Sequence, residues 1–315
     1  MHRTFLVGIS GLKISNNLGR GDKLDDKTFI TNNKETIRAL IPREAITVIG
    51  ELEMLWILDA GAVIYSLEDM SPHMTDKSAY NKFLAYMMTH AASFLHTLWH
   101  TKDHACLLGK GYLFDDQFAV GGCSRGYDFV KATGEQSPTE VSREELGTAR
   151  SLFRLLTGSG VGYSSKITRI IKESSNRLSR ADAHRLAATT SPDVAFKIAS
   201  YCSALEALFS TSSAELSHQL SERVAFLLED DPGRRRLLYE DLKRAYTFRS
   251  KAVHGDHIKQ KDWDGLRGVS VRCDEIVRRV YSKIFASDDL QEILVSSAED
   301  INDFFLDRIV GVTGE

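Results

Sequence analysis

The spacing of apolar positions changes character part-way along the chain. Up to about residue 140 the apolar residues come in short runs broken by Gly, Asn and Asp: FLVGISGL (5–12), FITNN (29–33), AITVIG (45–50), ACLLGKGYLF (105–114) and QFAVGG (117–122). Runs of this length bounded by turn-forming residues predict strands. They are interleaved with at least one amphipathic helix, SAYNKFLAYMMTHAASFLHTLWH, over 78–100. From Ser142 onward glycines thin out and apolar residues recur three and four apart, which predicts helices over 142–157, 165–189, 192–210, 214–230, 232–254, 263–286 and 289–309. Ser142 with Glu145 three residues later forms a capping-box pattern, and Ser191-Pro192-Asp193 is a second start signal, with proline in the first turn.

The expected fold is therefore α+β, with a mixed α/β N-terminal domain over 1–140 and an all-α bundle over 141–315. The join lies somewhere in 130–163, where ATGEQSPTE and TGSGVGYSS read as loops. The most apolar stretch, AITVIGELEMLWILDAGAVIYSL (45–67), carries Glu51, Glu53 and Asp59. Each would cost roughly 2.5 kcal/mol or more at a bilayer centre, so the stretch is expected to be a buried element of a soluble core, and no membrane partner is expected. The apolar run at the start is far shorter than a signal-peptide core and is expected to be a strand.

Composition narrows the function. The chain has 315 residues, 43% hydrophobic and 26% charged, with a formal net charge of −3. That charge gives no global basic field, so any nucleic-acid site has to be a local patch. Cys106, Cys123, Cys202 and Cys273 are widely spaced and form no CxxC pair, as expected of reduced thiols in a cytoplasmic protein. No Walker loop, GxGxxG, HExxH or GxSxG motif is present. His96 and His100, four apart on the 78–100 helix, have ligand spacing but lack a third ligand, so neither metal nor cofactor is expected.

The local patch is GRRRLLYEDLKRAYTFRSKAVHGDHIK (233–259), which sets ten basic or histidine residues against Glu240, Asp241 and Asp256. Within it, Arg249 and His254 are the sharper signal. Arginine suits two-point bonding to a phosphate, and histidine exchanges a proton near neutral pH, so together they suit metal-free cleavage of an RNA phosphodiester. Five positions on a helix turn about 500°, which leaves the two side chains roughly 140° apart. Either the reach of arginine at a helix end or a second copy of the helix from a partner subunit could bring such groups together, and the second option predicts a homodimer.

The R-x4-H pattern in FRSKAVHG (248–255), preceded by YCSALEALF (201–209) and ELSHQLSERVAFLL (215–228), resembles the HEPN superfamily of all-α nucleases, and within it the Apea-like branch. The likeness runs over about 195–284, with a weaker echo in LWHTKDHACLLGKGYLF (98–114) of a region that often precedes this domain. The resemblance implies a helical bundle that dimerises with two R-x4-H motifs face to face. It implies an endoribonuclease that needs no metal and leaves 2′,3′-cyclic phosphate and 5′-hydroxyl ends, in bacterial antiphage defence or stress response, with a possible protein trigger. By the family's pattern His254 is the acid or base and Arg249 holds the phosphate. Where the family often has Asn, Asp or His after the arginine, this chain has Ser250.

Neighbouring residues are candidates for supporting roles. Glu206, among apolar neighbours, either points into a polar groove and orients His254 or Arg249, or pairs with a structural arginine such as Arg223; the structural pairing is preferred. Lys251 and His257 would hold flanking phosphates or be plain surface charges, and Tyr246 and Phe248 are expected in the core rather than as base-stacking platforms. Two other functions compete with the nuclease: a HEPN-like dimer that binds RNA or a protein without cutting, and a plain helical scaffold in which Arg249 is a salt-bridge donor and His254 a C-terminal helix cap offsetting the dipole.

Overall fold

In a computed structural model, residues 2–69, 77–115, 120–124, 128–158, 176–212, 214–254 and 263–311 are described. The chain divides into two compact units, one of residues 1–129 with 136–163 and one of residues 130–135 with 164–315.

The first unit is built on a six-stranded antiparallel sheet in the order β3-β4-β5-β1-β6-β7. Its strands are β1 (His2–Ser10), β3 (Asp22–Lys23), β4 (Thr28–Thr31), β5 (Ala62–Asp69), β6 (Leu107–Asp115) and β7 (Val120–Cys123). A separate parallel pair joins β2 (Leu12–Ile14) to β8 (Thr139–Val141). β1 is buried at every position from Phe5 to Ile9, as a central strand covered on both faces must be. Leu6 stands opposite Tyr65 and Tyr112. That face packs against Ile37 of α1 (Lys34–Ala39), Ala45 of α2 (Arg43–Ile49), and Met54 and Ile57 of α3 (Glu51–Asp59). On the other face, a Cβ at Gly111 would meet Met88 Sδ of α4 (Lys77–Thr101) at 2.1 Å and the Phe5 ring at 3.2 Å, so only glycine lets the helix approach this closely.

Three expectations change here. AITVIG, expected as a strand, is helix α2: Ile46, Thr47, Val48 and Ile49 favour strands locally, but packing against the sheet overrides them. The 45–67 stretch is not one buried element but two helices and a strand, broken at Gly50 (φ 89°), and Val48, Leu52 and Leu55 are exposed. The division also does not fall at 140. Helix α5 (Arg143–Thr157) belongs to the first unit, because Phe153 packs edge-on against His90 and Phe94 of α4 and Lys102 Nζ reaches Glu145 at 2.9 Å. Its start follows the sequence: Ser142 Oγ accepts from Glu145 N–H at 3.1 Å, and Glu145 accepts in return from Ser142 N–H at 2.8 Å.

The described helices of the second unit are α6 (Arg177–Thr190), α7 (Val194–Phe209), α8 (Leu216–Leu228), α9 (Pro232–His254), α10 (Trp263–Ala286), α11 (Asp288–Leu294) and α12 (Ala298–Val310). α7 is the hub, since most of its residues are buried, including Ile198, Tyr201, Cys202, Leu205, Leu208 and Phe209, and α6, α9 and α10 pack around it. Its one lysine in this interior, Lys197, is fully buried and donates to Val130 O at 2.8 Å and Ala188 O at 2.7 Å. α7 begins two residues later than the proline signal suggested, with Asp193 as its cap. The single helix expected over 289–309 is two, because Ser297 forms a capping box with Asp300 and starts α12 afresh. Of the helix expected over 165–189, the part before 176 lies outside the described residues. The fold is α+β with a helical C-terminal region, and among the described residues no helix is long and apolar enough to cross a membrane.

Candidate functional site

α9 runs unbroken from Pro232 to His254, so the helical period holds across the R-x4-H stretch. Positions 249 and 254 are therefore about 140° apart around the axis and about 7.5 Å apart along it. The side chain of His254, and His257 as a whole, lie outside the described residues.

Arg249 faces α7. Its Nη2 donates to Glu206 Oε2 at 3.1 Å, and its Nε lies 3.1 Å from Oε1, a side-on ion pair in which the arginine side chain is 28% exposed and the glutamate 18%. Only the Nη2 contact is a hydrogen bond: Nε and Oε1, though 3.1 Å apart and buried, have no hydrogen-bond partner among the described residues, and Nη1 has none either. An arginine held in this way is oriented in advance, and Nη1 is the donor left for an anion.

Glu206 is thus Arg249's partner and not Arg223's. Arg223 is spent elsewhere: its Nη1 donates to Phe209 O at 2.6 Å and Thr211 Oγ1 at 3.1 Å, its Nη2 donates to Asn302 Oδ1, and its guanidinium covers the Phe305 ring. The reason is reach, because α8 sets Arg223 against the C-terminal end of α7, whereas α9 sets Arg249 against the turn that carries Glu206.

The wall behind the pair is buried. Tyr246, one turn before Arg249, is buried, and its ring centroid is 6.0 Å from the Arg249 guanidinium. Burial, and then the nearby Glu206 carboxylate, push the Tyr246 phenol far above its ordinary ionisation range. Cys202, one turn before Glu206 on α7, is buried beside Cys273 of α10. Contact with the Cys273 thiol, followed by burial, pushes Cys202 well up, so it packs as a thiol and offers no thiolate nucleophile. Phe248 is buried too, and the Lys251 ammonium rests 5.6 Å from its ring centroid while Ser250 is exposed. Tyr246 and Phe248 are thus core, as expected, and Lys251 is partly engaged with the helix that carries it.

Much of the basic run has local work. Arg235 covers the Phe226 ring at 3.9 Å and bonds Glu229 O, and Arg236 pairs with Glu240 one turn on. Glu206 also forms a wall shared by two open clefts. One, of about 690 Å³, is lined by His184, Ser203, Ser210 and Thr211 among others; its neighbour, of about 590 Å³, is lined by Asn176, Arg177, Arg180, Ser210 and Ser296 among others. The α6 basic residues are not among those singled out from the sequence, although Arg177, Arg180 and His184, three and four apart, form one stripe of a helix. Among the described residues no group of three or more His, Cys, Asp or Glu is placed to hold a metal ion.

No protein-family model, no curated protein and no solved structure matches the chain.

Proposed function

We propose that the chain is a metal-independent endoribonuclease of the HEPN type, acting as a homodimer in the cytoplasm, in bacterial antiphage defence or stress response. The observation that carries this reading is the Arg249–Glu206 pair: a guanidinium held by a carboxylate against a buried wall, with its Nη1 unbonded among the described residues. In the reaction proposed, the ribose 2′-oxygen attacks the adjacent phosphorus, the 2′-O–P bond forms and the P–O5′ bond breaks. An imidazole from His254 takes the 2′ proton, and a second imidazole, from the other copy, protonates the leaving 5′ oxygen. Arg249 stabilises the charge that builds on the non-bridging oxygens. The 140° between positions 249 and 254 favours a site assembled from two copies.

The pairing with Glu206 also favours a second reading, a HEPN-like dimer that binds RNA or a protein without cutting, since a carboxylate this close weakens the guanidinium's hold on an anion. Digestion of RNA by purified protein and by Arg249→Ala and His254→Ala separates the two. The nuclease predicts that cleavage is lost in each folded, dimeric variant. An RNA gel shift by the parent without any cleavage would instead establish the binding module.

A further inference from the structure

The two clefts beside Glu206 share Glu206, Ala207 and Ser210, so they are halves of one groove crossing the C-terminal half of α7. Along one side α6 presents Arg177, Arg180 and His184, which rise about 4.5 Å and then about 6 Å along the helix. Hydroxyls of Ser203, Ser210, Thr211 and Ser296 line the rest.

Among the described residues the cations of this groove are not balanced by acids. Arg177 Nη1 donates to the carbonyls of Ser210 at 2.7 Å and Ala207 at 3.5 Å, and to no carboxylate among the described residues. Arg180 is exposed and, among the described residues, makes no ion pair. Burial and then the charge of Arg180 hold the Arg177 guanidinium below its ordinary range, so the two cations crowd one another. The one carboxylate among the described residues of the wall, Glu206, is taken by Arg249. Two guanidiniums and an imidazole on one helical stripe, uncompensated and facing a hydroxyl-lined groove, suit a chain of phosphates.

We propose that this groove carries single-stranded RNA to the Arg249 site, with Arg180 and His184 holding backbone phosphates that flank the one being cleaved. The RNA ligand rests on the endoribonuclease reading; the anion-binding character of the groove rests on α6 alone. Arg177 serves as the groove's corner post, because its bonds to the end of α7 fix it in place.

The test is fluorescence anisotropy on the full chain with a labelled, fully 2′-O-methylated RNA, which keeps every phosphate but cannot attack itself. Each phosphate contact to a single strand contributes about 0.7 to the slope of log affinity against log salt, or about fivefold at 0.1 M salt. Arg180→Ala should therefore lower the slope by about 0.7 and affinity about fivefold. Arg180→Lys should restore most of both, with circular dichroism unchanged throughout. An unchanged slope in both Arg180→Ala and Arg180→Glu, or no binding by the parent, overturns the groove. If natural RNA is cut in an Arg249-dependent way while the Arg180 variants bind as the parent does, the nuclease stands and the groove falls. If the Arg180 variants lose slope but natural RNA is never cut, the groove stands and the nuclease falls.

Discussion

Separating Arg249 from Glu206 should cost the helical unit a measurable part of its stability. Exposed ion pairs contribute about 0–1 kcal/mol, whereas removing one partner of a fully buried pair costs about 3–5 kcal/mol. At 28% and 18% exposure, with two contacts at 3.1 Å, this pair falls between those limits. A coupling of about 1–2 kcal/mol is expected. Glu206→Gln and Arg249→Met keep the shape and the apolar stem of each side chain, so a double-mutant cycle of these two isolates the charge pairing. Urea unfolding followed by far-UV circular dichroism, with equal m-values, gives the four stabilities. Additivity within about 0.5 kcal/mol would show that the two side chains act independently and would refute the claim that Glu206 holds the guanidinium.

Three further outcomes follow from the packing and the proposed chemistry. Lys197→Met keeps the buried stem but leaves the carbonyls of Val130 and Ala188 without their donor; a loss of about 3 kcal/mol is expected in the same urea assay, and a loss under about 1 kcal/mol would show that water replaces the ammonium. Burial alone would raise the Asp25 carboxyl, but hydrogen bonds from His90 at 2.5 Å and from Lys27 and Thr28 outweigh it and hold it well below the ordinary carboxylate range. Because folding weakens its hold on a proton, the stabilisation is full above the free-acid value of about 3.9 and fades as pH falls below it; the stability gap between the parent and Asp25→Asn should be flat near neutrality and close in acid, and a pH-independent gap would contradict this. In an RNA cleavage assay Arg249→Ala should lose about 100-fold or more in rate, and Glu206→Gln should lose less, since it positions the arginine and takes no part in the bond changes.

The sequence is most legible where a single period runs long. α4, α9 and α10 lie within a residue or so of their predicted limits, because three- and four-residue spacing persists over six turns or more and no competing local signal interrupts it. AITVIG fails for the opposite reason: six residues cannot establish a period, and β-branched side chains bias the choice toward strand until Pro42 and the sheet beneath decide it. The break at 295–297 is encoded in Ser297 and Asp300, a capping box hidden inside an apparently continuous apolar pattern. At the site, the burial of Tyr246 and Phe248 could be read from their place on the apolar side of a helix. The choice between Arg223 and Arg249 for Glu206 could not, since it depends on which turn of α7 each neighbouring helix crosses. The basic groove is equally hard to read from sequence, because the α6 stripe is sparse and becomes a groove wall only once α7 sets its hydroxyls opposite.

The most direct test of the central claim is end-group analysis of RNA incubated with the purified chain in EDTA. Cleavage by Arg249 and an imidazole pair predicts fragments ending in 2′,3′-cyclic phosphate and beginning with a 5′-hydroxyl, made at an undiminished rate without divalent ions. Intact RNA, or fragments with 3′-hydroxyl and 5′-phosphate ends, would contradict it.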